Sequence, residues 1–280
     1  MERRSSRETI LQVFVFVGLG LLAVVFLMPL LWMVSTSLKP IEETMKMPPT
    51  MIPTSPKWGN YSEAVRQIPF LLYFGNTVWV SVAGTIGILI SCSLVAYGFA
   101  FLRWPGRDLF FWLTVATMMI PFPVIMVPMY GVFRKLGMIG TLMPLWLPCW
   151  FGAAWDIFLM RQFFLGIPKD LLDAARIDGC TELQIWRKVV LPVAAPVMVV
   201  VGLFHVIYSW NDFLGPLLYL TKQEKYTLSL GLQFYQSQNG GTQWHLLMAA
   251  SVLMVLPVLI LFLIGQRALI RGITMTGIKA

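Results

Sequence analysis

Residues 10–34 read ILQVFVFVGLGLLAVVFLMPLLWMV, 25 positions without a charge. A helix rises ~1.5 Å per residue, so about 20 apolar residues cross the hydrocarbon core of a bilayer. The preceding MERRSSRET is basic enough for a signal peptide, but the apolar run is longer than a signal-peptide core and is predicted to span. Five further stretches meet the same criterion: 74–102, 109–133, 141–160, 189–211 and 246–266. Pro192 and Pro196 place the main helix of the fifth beyond them. None of the runs alternates apolar and polar residues as a barrel strand would. Lipid offers the backbone no hydrogen-bond partner, so unbroken apolar runs read as helices. The predicted fold class is an all-α integral membrane protein with six transmembrane helices.

Composition supports this. Hydrophobic residues are 58% of 280 and charged residues 12%, with mean hydropathy +0.74. Soluble domains carry about 25% charged residues, so too little polar surface is available to cover a water-soluble globule. The net charge of +8 is explained by basic residues that hold loops on the cytoplasmic side, and no nucleic-acid partner is expected. With the N-terminus inside, 13 of the 21 Lys and Arg residues fall on inner segments and 8 on outer ones, which are longer in sum. Both termini are therefore expected in the cytoplasm. The expected organisation is a cytoplasmic N-terminus (1–9), a first helix (10–34), an external loop (35–72), a core of five spans (73–266) and a cytoplasmic tail (267–280). The external loop holds Pro40, Pro48, Pro49, Pro53 and Pro56 and is expected to be an extended cap or a mobile loop.

Soluble chemistry leaves no trace. Cys92, Cys149 and Cys180 are odd in number and have no CxxC spacing, which argues against disulfides or a zinc site. Gly18-Leu-Gly20-Leu-Leu-Ala23 imitates a dinucleotide fingerprint but sits inside an apolar span, where small residues let helices approach. No phosphate-binding GxxxxGK[ST] exists, no catalytic residues or cofactor are expected, and the sequon Asn60-Tyr-Ser62 reads as accidental.

The inner segment 161–192 is the informative one. Its part IPKDLLDAARIDGCTELQIWRKVVLP, residues 167–192, carries two sets of helix signals. Pro168 suits a first helical turn, Asp170 and Asp173 favour its N-terminal dipole, and Gly179 fits the left-handed position that ends a helix. Thr181 and Gln184 match a capping box for a second helix, which is expected to stop near Val190 ahead of Pro192. The first helix is expected to expose Leu171, Leu172, Ala174 and Ala175, a low apolar ridge suited either to another protein's groove or to packing against its own bundle or the lipid interface.

Asp173-Ala174-Ala175, Gly179 four positions beyond Ala175, and Val189-x-Leu191-Pro192 resemble the EAA loop of ABC-importer permeases, EAA–x3–G–x9–I–x–L–P, with Asp173 for glutamate and Val189 for isoleucine. Asn76-Thr77, Met119-Ile120-Pro121, Val127-Pro128-Met129-Tyr130, Arg161-Gln162-Phe163, Trp210-Asn211-Asp212-Phe213 and the tail Gln266-Arg267 through Gly272, Gly277 and Lys279 extend the resemblance over nearly the whole chain, toward the six-helix second permease of carbohydrate importers. The resemblance implies a type I ABC importer permease fold and partnership with a second permease, two cytoplasmic ATPases and an extracytoplasmic solute-binding protein. It also implies a sugar or a sugar-like polyol as substrate, and a coupling site formed by Asp170, Leu171, Leu172, Asp173, Ala174, Ala175, Asp178, Gly179, Leu191 and Pro192.

Candidates for the solute pathway are Asn76, Pro121, Tyr130, Asp156, Trp210 and Asn211. Asp156 is an intramembrane carboxylate, the kind of group that marks function by default; neighbouring Arg161 offers a structural explanation. Pro121, Pro123 and Pro128 are expected to interrupt the third span. A secondary transporter would need coupling-ion groups, for which only Asp156 and His205 offer themselves. A membrane-embedded enzyme would need clustered carboxylates or a metal site, and the two histidines are far apart in sequence.

Overall fold

A computed structural model describes residues 6–236 and 241–276, with side chains from Gln12, except Val13, as far as Gln266. The first five residues of the basic N-terminus, and Gly277 and Lys279 of the tail, lie outside the described residues. Among the described residues every regular element is a helix, and no strand forms.

Four helical segments are long and apolar enough to cross a membrane: Phe14–Ser37, Phe70–Phe101, Met143–Leu165 and Trp244–Gln266. Two bent pairs bring the number to six, Arg107–Met119 with Phe122–Lys135 and Glu182–Val193 with Ala195–Asn211. The third-span pair meets at 101°. Its break lies where expected: Ile120 is extended (φ −82°, ψ 113°) ahead of Pro121, which is itself extended and caps the next helix. Proline disfavours a helical residue before it and donates no hydrogen bond. Pro128, by contrast, lies inside the helix that follows without ending it.

The fifth span bends by 81°, but not where Pro192 alone predicts. The helix after Thr181 continues through a π-turn, Trp186–Val190, and a short segment, Leu191–Val193, before breaking at Ala194. Pro192 falls in the first turn of that segment, where its missing N–H costs little.

The chain forms two compact units. One contains the described residues through Pro69 together with Leu232–Val255; the other contains Phe70–Gly231 and the final helix from Leu256 onward. Leu232–Val255, which the expected core of 73–266 includes, groups with the proline-rich segment.

In the first unit the proline-rich loop is an ordered cap that contains a nine-residue helix, Gly59–Gln67. Buried polar groups hold it. Lys39, 2% exposed, donates from Nζ to the Thr50 carbonyl at 2.6 Å and lies 4.2 Å from the Trp32 ring centre. The buried Glu43 accepts from Thr50 Oγ1 (2.7 Å) and Thr54 Oγ1 (2.9 Å), which hold its carboxyl below the usual range. Asn60 Nδ2 donates to the carbonyls of Ser37 and Lys39. The sequon asparagine is thus buried and engaged, so it is no glycan acceptor in the folded chain.

In the second unit the helix Phe70–Phe101 is the axis. It has no proline, and several of its hydroxyls bond back to carbonyls four residues earlier (Thr77 to Tyr73, Thr85 to Ser81, Ser91 to Gly87), which satisfies those donors without water. Small residues admit its neighbours: a Cβ on Gly84 would stand 2.8 Å from His205 Nε2, and one on Gly87 2.5 Å from Trp150 Cδ1. A core of Ile88, Cys92, Tyr97, Met160, Phe164, Leu172, Ile185, Val190 and Val201 joins the axis to the fourth span, the fifth span and the loop between them.

Candidate functional site: the loop between the fourth and fifth spans

The loop folds as a helix–turn–helix from its own local chemistry. The first helix is Lys169–Ile177, with Pro168 extended at its N-cap. At its end Gly179 has φ +80°, a conformation that side chains penalise. The Cys180 N–H donates to the Ala175 carbonyl and the Gly179 N–H to that of Arg176, both at 3.0 Å. This pair of bonds is a Schellman motif. One residue later Thr181 and Gln184 form the expected reciprocal capping box: Gln184 N donates to Thr181 Oγ1 (3.4 Å), and Thr181 N to Gln184 Oε1 (2.9 Å).

The exposed face differs from the expected ridge. Leu172 (1% exposed) and Ala175 (8%) turn inward to the core, whereas Leu171 (46%) and Ala174 face outward. Positions three apart share a helix face, so the outward stripe continues to Ile177, 86% exposed, which sequence reading overlooked. Its signal was the Leu171, Ala174, Ile177 spacing itself. Asp170, Asp173 and Asp178 are also exposed, and Pro192 is exposed after the π-turn beside the half-buried Leu191.

An ionic chain ties the two helices together. Arg176 donates from Nη1 to Asp173 Oδ1 (2.7 Å) and from Nε to Glu182 Oε1 (2.9 Å). Hydrogen bonds from Glu182 and Asp173 raise the Arg176 pKa further above its already high value. Glu182 in turn accepts from the Tyr97 hydroxyl on the axis helix. A cavity of about 450 Å³ lies beside this chain, lined among others by Arg103, Arg107, Lys169 and Leu172.

The pathway candidates are held in separate local neighbourhoods. Asn76 Nδ2 donates to the carbonyls of Glu224 (2.9 Å) and Tyr226 (3.0 Å), clamping the loop that follows the fifth span. Trp210, 4% exposed, packs edge-on against Phe74. Asn211 bonds back to the Ile207 carbonyl, and Tyr130, 37% exposed, stacks on Tyr219. Pro121 marks the third-span break. Asp156 is half-buried in the first turn of the helix Ala154–Leu165. Arg161 does not pair with it: its guanidinium lies 3.9 Å from the Phe111 ring centre and donates to the Phe99 carbonyl. Among the described residues no ion pair reaches Asp156 and no metal-ligand cluster exists.

An all-helical chain with several spans, two of them broken, and a pre-folded loop between two spans has the architecture of a multi-pass membrane protein. Comparison with known proteins gives the family: residues 90–275 match the family described as binding-protein-dependent transport system inner membrane component, and the chain belongs to it. It is similar to the arabinooligosaccharides transport system permease protein AraQ of Halalkalibacterium halodurans, 34% identical over the whole of both chains. The sn-glycerol-3-phosphate transport system permease protein UgpE of Pectobacterium atrosepticum is 34% identical over 83% of this chain and 85% of its own. The sulfoquinovosyl glycerol transport system permease protein SmoH of Agrobacterium fabrum is 32% identical over 94% and 93%. In fold it resembles a chain of a bacterial ABC transporter involved in the import of alginate, with TM-score 0.82 and 24% identity over 95% of this chain and 99% of that one. The chain is therefore a multi-pass inner-membrane permease component of a binding-protein-dependent importer, and its task is transport, not covalent chemistry.

Proposed function

We propose that this chain forms half of the translocation pathway of a carbohydrate or polyol importer, paired with a second permease, driven by two cytoplasmic ATPases and fed by an extracytoplasmic binding protein. The similarity to permeases named for arabinooligosaccharides, glycerol phosphate and sulfoquinovosyl glycerol supports the solute class. The loop face formed by Asp170, Leu171, Asp173, Ala174, Ile177 and Asp178 is the ATPase-docking surface. Gly179 shapes the turn, Leu172 and Ala175 anchor the helix from beneath, and Leu191 and Pro192 link the loop to the fifth span.

The observation that carries this reading is the pre-folded helix whose outer stripe includes an isoleucine 86% exposed. A large apolar side chain at the end of a solvated helix is well suited to a partner's groove. The test is Ile177→Asp with Leu171→Asp in the complete importer. The permease pair should still assemble, but the ATPase subunits should no longer co-purify and uptake should stop. Co-purification and uptake at the wild-type level would refute the assignment.

A further inference from the structure

We propose that the Tyr97 hydroxyl is the joint through which displacement of the docking helix is pulled into the membrane core; the inference rests on the docking role assigned above. Two kinds of contact connect the docking helix to the rest of the second unit. Leu172 and Ala175 press apolar surface against the core. Burial makes these contacts attractive, but they have no preferred direction and allow the surfaces to slide. Displacement transmitted without slip needs directional bonds as well.

The structure supplies one continuous set. Asp173 and Arg176 on the docking helix, Glu182 on the helix after the turn and Tyr97 on the axis helix are linked in series. The series spans the Gly179 turn, so the two loop helices move as one piece. Tyr97 is 4% exposed, and its ring packs on Phe101 at 5.4 Å between centres. It sits in a 32-residue helix without a proline, which acts as a stiff rod, and the fourth and fifth spans pack against that rod through Gly84 and Gly87. A pull at Glu182 therefore reaches the spans that carry the core. Sequence reading did not single out Tyr97, because its partner lies 85 residues away.

The test uses the complete importer in proteoliposomes with Tyr97→Phe, which keeps the ring and its packing. Spin labels at Leu71→Cys and Asp178→Cys, with the three native cysteines replaced, report the distance between the far end of the axis helix and the docking helix. With Tyr97 present that distance should stay constant between the nucleotide-free state and a state trapped with a non-hydrolysable ATP analogue. In Tyr97→Phe it should become nucleotide-dependent. Stimulation of ATP hydrolysis by the binding protein should fall about tenfold, the scale set by one hydrogen bond to a charged group, while the ATPase subunits remain attached. Glu182→Ala should do the same, and the double variant should be no worse than either alone. A distance in Tyr97→Phe that ignores nucleotide, or a double variant whose loss is the product of the two, would overturn the proposal. Failure of the ATPases to attach to the wild-type loop would instead overturn the docking assignment.

Discussion

The indole of Trp150 occupies the space that a side chain on Gly87 would need: an added Cβ would lie 2.5 Å from Cδ1 and 2.7 Å from Nε1, which donates to the Ala83 carbonyl at 3.1 Å. The ring is rigid and hydrogen-bonded, so it has no easy retreat. Gly87→Ala should destabilise the folded permease by about 1–3 kcal/mol, the usual range for overpacking. Gly98, eleven positions along the same helix with nothing within 4 Å of its Cβ position, is the control. Thermal unfolding in detergent should show a lowered midpoint for Gly87→Ala only.

Gly179 makes a complementary case. A Cβ there would meet nothing within 4 Å, yet φ is +80°, so the penalty for a side chain is purely conformational, roughly 1–2 kcal/mol. Gly179→Val should loosen the turn, weaken attachment of the ATPase subunits and lower uptake while leaving the spans inserted. Gly179→Asn, a residue that tolerates the left-handed region, should retain most of both. Co-purification with the ATPases separates the two variants, and equal behaviour would show that the turn's geometry does not matter.

Asp156 has no ion-pair partner among the described residues and sits in a helix's first turn, where the dipole favours its charge. If its role is structural, Asp156→Asn should assemble normally and keep most uptake, because the amide preserves shape and hydrogen bonding. Loss of uptake in an assembled complex whose ATPase still responds to the binding protein would place the carboxylate on the solute's route.

Glu43 predicts a pH response confined to the proline-rich segment after the first span. Its carboxyl is held below the ordinary value of 4.5 by the hydroxyls of Thr50 and Thr54. A depressed folded pKa contributes stability at pH values above the unfolded one and loses it as pH falls through the folded one. The Thr54 N–H donates to the same carboxylate, so its protection factor against exchange, measured relative to an unstructured peptide at each pH, should fall as the pH drops below that ordinary value. Glu43→Gln should remove that pH dependence.

Orientation is tested by exposed positions. An impermeant thiol reagent applied to intact cells should label Lys57→Cys and Gln223→Cys and should spare Asp178→Cys. Labelling of the Asp178 position in sealed cells would reverse the topology drawn from the basic residues.

What the sequence made legible was local. The six apolar runs, the break ahead of Pro121, the left-handed Gly179 and the Thr181–Gln184 box all follow from residues within a few positions of one another. What it hid was long-range. Nothing near Asn76 in sequence announces that its amide bonds carbonyls about 150 positions away. Arg161 looked like the partner of Asp156 but turned to Phe99 and Phe111. The ridge of the docking helix was half right because Leu171 and Leu172 are equally apolar, and only packing decides which of two adjacent leucines faces in. The sequence leaves the proline-rich segment open between an ordered cap and a mobile loop, because the choice depends on Asn60 reaching the carbonyls of Ser37 and Lys39.

The turn at Gly179 closes through bonds among residues 175–184 alone, so the loop holds its shape without help from any visitor. Fixing the backbone of one residue costs about 1–2 kcal/mol, and a loop that had to fold on contact would lose much of its affinity to that ordering. Here the ordering is complete before encounter. Association becomes a rigid-body event limited by orientation, and subunits can separate and re-engage without a refolding step in between.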